Sequence, residues 1–281
     1  MTDVEAVKPT GVHPPSVEYV LPDIPHGAEV FAANYRIRTS DVDPAMRLRL
    51  DGVARFVQDI SADMIEASAF CESDPFWILR RTIIDVVEPA TWPGDVEVQR
   101  WCSATSSRWV NMRQRLVGVP EVAPFNTQTR TPGLIETESF CIKIDGSGRL
   151  SRISEEALAQ MSESVSNNRL RWRAMNTDPV PPASIDDGTF TLRASDIDPF
   201  AHMNNTVYWQ AIENVLRSRS DLTSVPHRIV VEFVRPVPAD VDAVVIRTQT
   251  IADRLSIWML LPDDTVAATA VVTAVDDLRD Y

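Results

Sequence analysis

Between Leu50 and Ile65 the apolar residues Leu50, Val53, Ala54, Val57, Ile60, Met64 and Ile65 return every three or four positions. That spacing predicts a helix over residues 49–67 with one strongly buried face. The residues before it, Glu29 to Arg38, alternate loosely and predict a strand. Strands are also predicted over 76–87, 95–104, 110–117 and 135–144, with Pro89, Pro93, Gly94 and Asp145-Gly146-Ser147-Gly148 as breakers. The Pro- and Thr-rich 120–132 reads as a loop, and Ser154-Glu155-Glu156-Ala157-Leu158 as a short N-capped helix. Residues 162–187 are polar and then proline-rich, the pattern of a linker. After them the order returns: a strand over 189–193, a helix over 205–219, and strands over 227–235, 241–252, 254–261 and 265–275.

A shift of 155 residues makes the repeat explicit. Arg38, Ser40, Asp41, Asp43 and Pro44 fall on Arg193, Ser195, Asp196, Asp198 and Pro199. The expected architecture is α+β: two tandem units, each a long helix wrapped by a curved antiparallel sheet. The boundaries read as a flexible arm over 1–27, a first unit over 28–161, a linker over 162–187 and a second unit over 188–281. The halves are not chemically equal, because His202, Asn204, Asn205 and Tyr208 fall on Arg47, Arg49, Leu50 and Val53. Whatever chemistry the chain performs is therefore expected in the second half.

Composition narrows the classes. The net charge of −13 argues against non-specific nucleic-acid or anionic-membrane binding. No apolar run approaches a membrane span, and the acidic start lacks a signal-peptide pattern, so a cytoplasmic protein without membrane insertion is expected. Cys71, Cys102 and Cys141 have no CxxC spacing, and His13, His26, His202 and His227 no ligand pattern, so no metal and no other cofactor is expected.

The pattern from Asp196 to Glu213, two Asp followed by His202, Asn204, Asn205, Tyr208 and Glu213, resembles the hotdog-fold thioesterases. In the first half, Trp77 to Arg81, Pro89 to Val98, Trp101-Cys102-Ser103, Asn111-Met112-Arg113 and Arg149 to Glu156 look like acyl-ACP thioesterases. The resemblance spans about residues 30–275. It implies two hotdog units and hydrolysis of the thioester between a fatty acyl chain and acyl carrier protein, with a homodimer left open. It carries the family's loop Asp to Asp198 and its His to His202, while Phe200 stands where the family has Asn. Pro236 and Val237 stand where it has an acid–thiol pair.

Thioester hydrolysis needs an attacking water or carboxylate and donors for the developing oxyanion. Asp198 is the candidate base or nucleophile, although Asp43-Pro44 shows that its turn also exists without chemistry. Asp196 reads as structural, since Asp41 repeats it. His202 is not demanded by the turn, which carries Arg47 in the first copy. Asn204 and Asn205 compete as N-cap, one capping and the other touching substrate or water. Tyr208 and Trp209 favour the core, and Glu213 is a reserve base that needs a buried partner. The expected catalytic set is Asp198, His202 and Asn204, with Asn205, Tyr208 and Glu213 as substrate contacts. Trp77, Trp92, Trp101 and Trp109 read as core, with an acyl tunnel as the other option. Docking an acidic carrier needs a basic patch, for which Arg169, Arg171 and Arg173, then Arg80, Arg81, Arg113 and Arg115, are candidates. Acyl-CoA as substrate, a silent acyl-binding protein of the same fold, and, less favoured, a dehydratase remain alternatives.

Overall fold

The computed structural model describes residues 19–275 except 125, 163, 164, 166 and 252. The amphipathic stretch forms helix α1, Leu50–Ala67, and buries Leu50, Val53, Ala54, Phe56, Val57 and Ile60. Five strands belong to the first half: β1 (Phe31–Arg36), β2 (Trp77–Glu88), β3 (Gly94–Thr105), β4 (Trp109–Pro120) and β5 (Gly133–Lys143). Helix α2, Glu155–Ser162, closes it. The second half has β6 (Gly188–Thr191), α3 (Asn205–Leu216), the short α4 (Ser220–Thr223), β7 (His227–Phe233), β8 (Ala243–Ile251), β9 (Arg254–Leu260) and β10 (Val266–Ala274). The long helix expected over 205–219 stops at Leu216, and α4 was not foreseen.

All ten strands form one antiparallel sheet in the order β1-β3-β4-β5-β2-β7-β10-β9-β8-β6. Read inward from either edge, the two halves have the same order, and they meet where β2 pairs with β7. Alternation along the strands gives the sheet two faces. One carries Ile84, Val98, Leu116, Ile135, Ile229, Val231 and Ile257 into a core shared with α1 and α3.

The opposite face departs from expectation. An antiparallel sheet commonly leaves one face to water, yet Arg81, Asp85, Arg113, Glu136, Glu138, Arg228 and Glu232 on this face are all buried. Two segments cover them. The described end of the arm is packed rather than free: Leu21 is buried with Ile83, Met175 and Val230, and the Tyr19 hydroxyl donates to Glu138 at 3.0 Å. The linker also lies on the sheet, burying Leu170 against Phe140 and placing the Met175 amide on Glu232 at 2.8 Å. Residues 1–18 of the arm lie outside the described residues.

This cover corrects the docking expectation for two arginines and, for two tryptophans, removes the tunnel option that stood beside core packing. Arg81 and Arg113 pair with Glu232 and Glu136 in the interior, so neither offers a docking surface. Trp101 lies under the guanidinium groups of Arg113 and Arg115, and Trp109 packs on Phe140, both on the face away from α1. They cannot line a tunnel between sheet and helix. Among the described residues no helix is long and apolar enough to cross a membrane.

Candidate functional site

The repeated sequence folds into the same turn twice. The Arg38 amide donates to Asp41 Oδ2 at 2.8 Å, and the Arg193 amide donates to Asp196 Oδ2 at the same 2.8 Å. Each pair brackets a short 3-10 turn. Four residues later the chain folds back. Bridges join Val42 to Leu48 and Ile197 to Met203. Met46 (φ 66°) and Ala201 (φ 60°) occupy the left-handed region at equivalent points. Asp196 is buried and turn-forming, as its repetition implied: burial opposes its charge, but the Arg193 guanidinium and amide hold its carboxyl below the usual range.

The two turns differ at one carboxylate oxygen. Asp43 Oδ1 accepts the Arg47 amide at 2.9 Å, and its Oδ2 accepts Arg47 Nε at 2.9 Å. Arg47 Nη2 also lies 2.8 Å from Oδ2. Asp198 Oδ1 has the matching duty, accepting the amides of Phe200 at 2.9 Å and His202 at 3.3 Å. With His202 in place of Arg47, Asp198 Oδ2 has no partner among the described residues. The half-buried His202 ring likewise makes no hydrogen bond among them.

Asn204 is the N-cap of α3: its Oδ1 accepts the Thr206 amide and hydroxyl, each at 2.9 Å. Its NH2 group is unengaged among the described residues, and the Asn205 side chain is exposed at the first helical position. The positive end of the helix dipole therefore faces the turn. Tyr208 is buried edge-on against Phe233 with ring centroids 5.2 Å apart. Burial pushes its hydroxyl up to about 12, with the Val237 backbone opposing and the Asp198 charge adding. The structure thus gathers Asp198, His202, Asn204, Asn205 and Tyr208 at one helix end. Val237 abuts them, its carbonyl accepting the Met203 amide at 2.9 Å. Phe200 is 72% exposed.

Glu213 does not join this group. It sits nine residues beyond Asn204, about 13 Å along the helix, and serves the other half. Its Oε1 accepts the Leu50 amide at 2.5 Å, capping α1, and Oε2 lies 3.5 Å from Arg49 Nε. The N-cap residue of α1, Arg49, makes no side-chain cap of its own. Burial pushes the Glu213 carboxyl up to about 7; Asp51 and Asp43 add to this, and the Leu50 amide and Arg49 oppose it. The partner that a buried glutamate needed was thus far off in sequence.

A raised folded-state pKa means that the native protein holds this proton more tightly than the unfolded chain. The stability it confers is full below the unfolded value of 4.5 and is lost as pH rises through about 7. Glu213→Gln, which keeps the acceptor for Leu50, is expected to match wild type near pH 4.5. At about pH 8 it should be more stable by up to about 3 kcal/mol. Urea unfolding at both pH values measures this, and a difference that does not change with pH would refute it.

Beside α3 lies a cleft of about 350 Å³ lined by Thr189, Phe190, Thr191, Arg193, Gln210 and Asn214. Its lining is mostly polar and offers a fatty chain little bed. Gln210 ties this flank to the first half, donating to Asp51 at 3.2 Å while accepting from Arg193 at 2.8 Å. These cross-helix contacts were invisible in the sequence, where Gln210 and Asp51 lie 159 residues apart.

Comparison with known proteins bears on both halves. The profile of the acyl-ACP thioesterase N-terminal domain matches residues 28–161, and that of the C-terminal domain matches residues 182–268. An uncharacterized protein of Mycobacterium tuberculosis is 35% identical over 260 residues, covering 91% of this chain and 97% of its own length. Among solved structures, an acyl-ACP thioesterase from Bacteroides thetaiotaomicron superposes with TM-score 0.66 at 13% identity, covering 87% of this chain and 97% of that one. The 12:0-ACP thioesterase from Umbellularia californica gives TM-score 0.57 at 19% identity, covering 87% and 96%. At these identities the superpositions speak for a hotdog-like α+β fold.

Proposed function

The chain belongs to the acyl-ACP thioesterase family, and from that premise we propose that it cleaves its substrate at the turn that launches α3. It is a thioesterase acting on fatty acyl thioesters. The observation that carries the placement is the unengaged Oδ2 of Asp198, set against Asp43, whose two oxygens are both held by Arg47. A carboxylate anchored by one oxygen and open at the other can take a proton from water, or attack directly, without losing its place.

In this reading Asp198 Oδ2 activates water against the thioester carbonyl. The oxyanion is met by the Asn205 amide, which has no acceptor among the described residues, and by the free NH2 of Asn204. His202 steers the water or the carbonyl from beside Asp198. The thiolate leaves without needing a strong acid. Tyr208 holds the turn's inner wall against Phe233, and Asn205 meets the substrate from the exposed side. Glu213 braces α3 against α1 in place of touching the reacting atoms.

The finer organisation is also proposed. Residues 28–161 and 188–281 would be two hotdog units fused through one sheet, with 162–187 as a strap. The matching strand orders and the doubled turn support this. Acyl carrier protein is the favoured carrier, meeting exposed Arg169, Arg171 and Arg173 of the strap. Arg80 lies over the Trp172 ring there and donates to the Val234 carbonyl at 3.0 Å, in the connection whose Val237 abuts the turn. Basic strap and turn thus share one end of the sheet.

A silent acyl-binding protein is the reading that Phe200, Pro236 and Val237 favour, and one experiment separates the two. Thiol release is measured on panels of acyl-ACP and acyl-CoA of varied chain length. Turnover on at least one panel is expected, with acyl-ACP preferred. Binding without turnover on every chain would overturn the catalytic reading.

A further inference from the structure

The helix-side face of the first five strands is apolar at both ends and polar in between. Val98, Leu116 and Ile135 belong to the main core under α1, and Cys102, Val110 and Met112 to a separate cluster near Phe70 and Met161. Between them, in register across neighbouring strands, Arg100 faces Gln114, Gln114 faces Thr137, and Ser139 faces Thr82. Ser139 is also level with Met112, so the Ser139–Thr82 pair lies one step along the strands from the Arg100–Gln114–Thr137 row, and the two rows, on strands about 4.8 Å apart, form one slanting polar band.

The band is buried and unsatisfied. Arg100 is 6% exposed and Gln114 fully buried. Arg100 Nε and Nη1, Gln114 Nε2, Ser139 Oγ and Thr82 Oγ1 all lack a hydrogen-bond partner. The Gln114 carbonyl oxygen is taken by the Thr137 hydroxyl, which leaves its NH2 facing inward. What remains free is one guanidinium, one amide donor and two hydroxyls. Among the described residues Arg100 has no carboxylate partner. Among the described residues the titratable groups that act on it are the thiols of Cys102 and Cys141, which burial pushes up, Cys102 to about 12, so that they bring it no negative charge. Arg108, Arg169 and other unpaired arginines stand in water and need no partner. Arg100 does, because an arginine keeps its proton and a bare buried charge is strongly unfavourable.

We infer that Arg100 and Gln114, with the Ser139 and Thr82 hydroxyls further along the band, form an internal receptor for a carboxylate carried on an aliphatic chain. Resting on the thioesterase reading, this assigns the enzyme acyl thioesters whose chain bears a second, anionic end. The polar band lies in the layer between sheet and α1, the apolar bed on the helix side. Cluster side chains beside it include Met112, Met161 and Met64, which are unbranched and can move aside for a chain. A methyl-ended chain would leave the guanidinium bare, while a carboxylate-ended one would complete it with charge-assisted hydrogen bonds.

The test uses the full-length protein and matched pairs of pantetheine thioesters of equal length, ending in methyl or in carboxylate. Wild type is expected to favour the carboxylate by about tenfold or more in kcat/KM. Arg100→Met should abolish that preference, and Arg100→Lys should keep part of it. Without ligand, Arg100→Met should melt no lower than wild type, since it removes a bare charge; a marked fall would mark Arg100 as structural and count against the receptor. Calorimetric binding of free fatty acid and free dicarboxylic acid separates the two sources of the carboxylate. Arg100-dependent binding of fatty acid alone, without thioester preference, would keep the receptor and assign it to the released product. Turnover of both chain types at equal rates, with Arg100-independent binding of both acids, overturns the inference while leaving the thioesterase reading intact. If wild type hydrolyses nothing, that reading fails, and the binding measurements alone decide the receptor.

Discussion

Asp85→Ala is expected to lower the unfolding free energy by about 3–5 kcal/mol, a large part of what a domain possesses. Asp85 on β2 and Arg228 on β7 stand opposite each other in the strand pair that joins the two halves. Both contacts of the fork, Nε to Oδ1 and Nη2 to Oδ2, are 2.6 Å, and the side chains are 1% and 3% exposed. Arg228 also donates to the Tyr19 carbonyl, so the same guanidinium pins the arm to the sheet. Removing the carboxylate takes away the anion that both edges of this buried guanidinium meet. Replacing both partners by apolar residues, Asp85→Leu with Arg228→Met, should cost much less, because the pair is no longer broken but absent. Urea unfolding of the single and double variants measures both. A single variant within about 1 kcal/mol of wild type would show that water reaches the pair and that the seam does not depend on it.

That seam marks where the sequence stopped being legible. The strands were readable because their helix-side residues are apolar and their breakers are Pro and Gly. The helix α1 was readable because its stripe is continuous. Arg81 in β2 read as a candidate docking residue, since nothing local distinguishes a charge covered by a strap from one facing water. The strap itself, residues 167–178, makes its contacts through scattered side chains such as Leu170, Met175 and Asp178, without period. Asp178, for example, meets Ser256 at 2.7 Å, a partner 78 residues away.

The site was legible in kind but not in detail. The repeat separated the turn residues from His202, Asn204 and Asn205, and the turns do coincide in hydrogen bonding. That Glu213 would leave this group and cap α1 depended on a contact 163 residues distant. That Asp198 would keep one oxygen open depended on Arg47 reaching back to Asp43, a relation visible only once the turn has its shape. Arg100 showed the opposite limit. It sits in a strand whose alternation assigns it to the core face, and only the absence of a buried partner gives it meaning.

The open oxygen supplies the sharpest expectation for catalysis. Asp198→Asn keeps an oxygen that can accept the Phe200 and His202 amides, so the turn should survive with little change in melting temperature. It removes the proposed base, and kcat should fall by about 100- to 10,000-fold. Asp43→Asn, the same change in the first copy, should leave turnover nearly untouched, because both Asp43 oxygens already face Arg47. The decisive variant is His202→Arg, which writes the first turn into the second. Its guanidinium is expected to close on Asp198 Oδ2 as Arg47 closes on Asp43, at about the 2.8–2.9 Å seen there. The turn would then be as stable as before or more so, and hydrolysis would still be lost to a similar degree. Stability and activity should therefore part company in this one protein. If His202→Arg kept more than about a tenth of wild-type turnover, neither the imidazole nor the free oxygen would be the reacting pair. The search for the base would then move to the carboxylate of α3, Glu213.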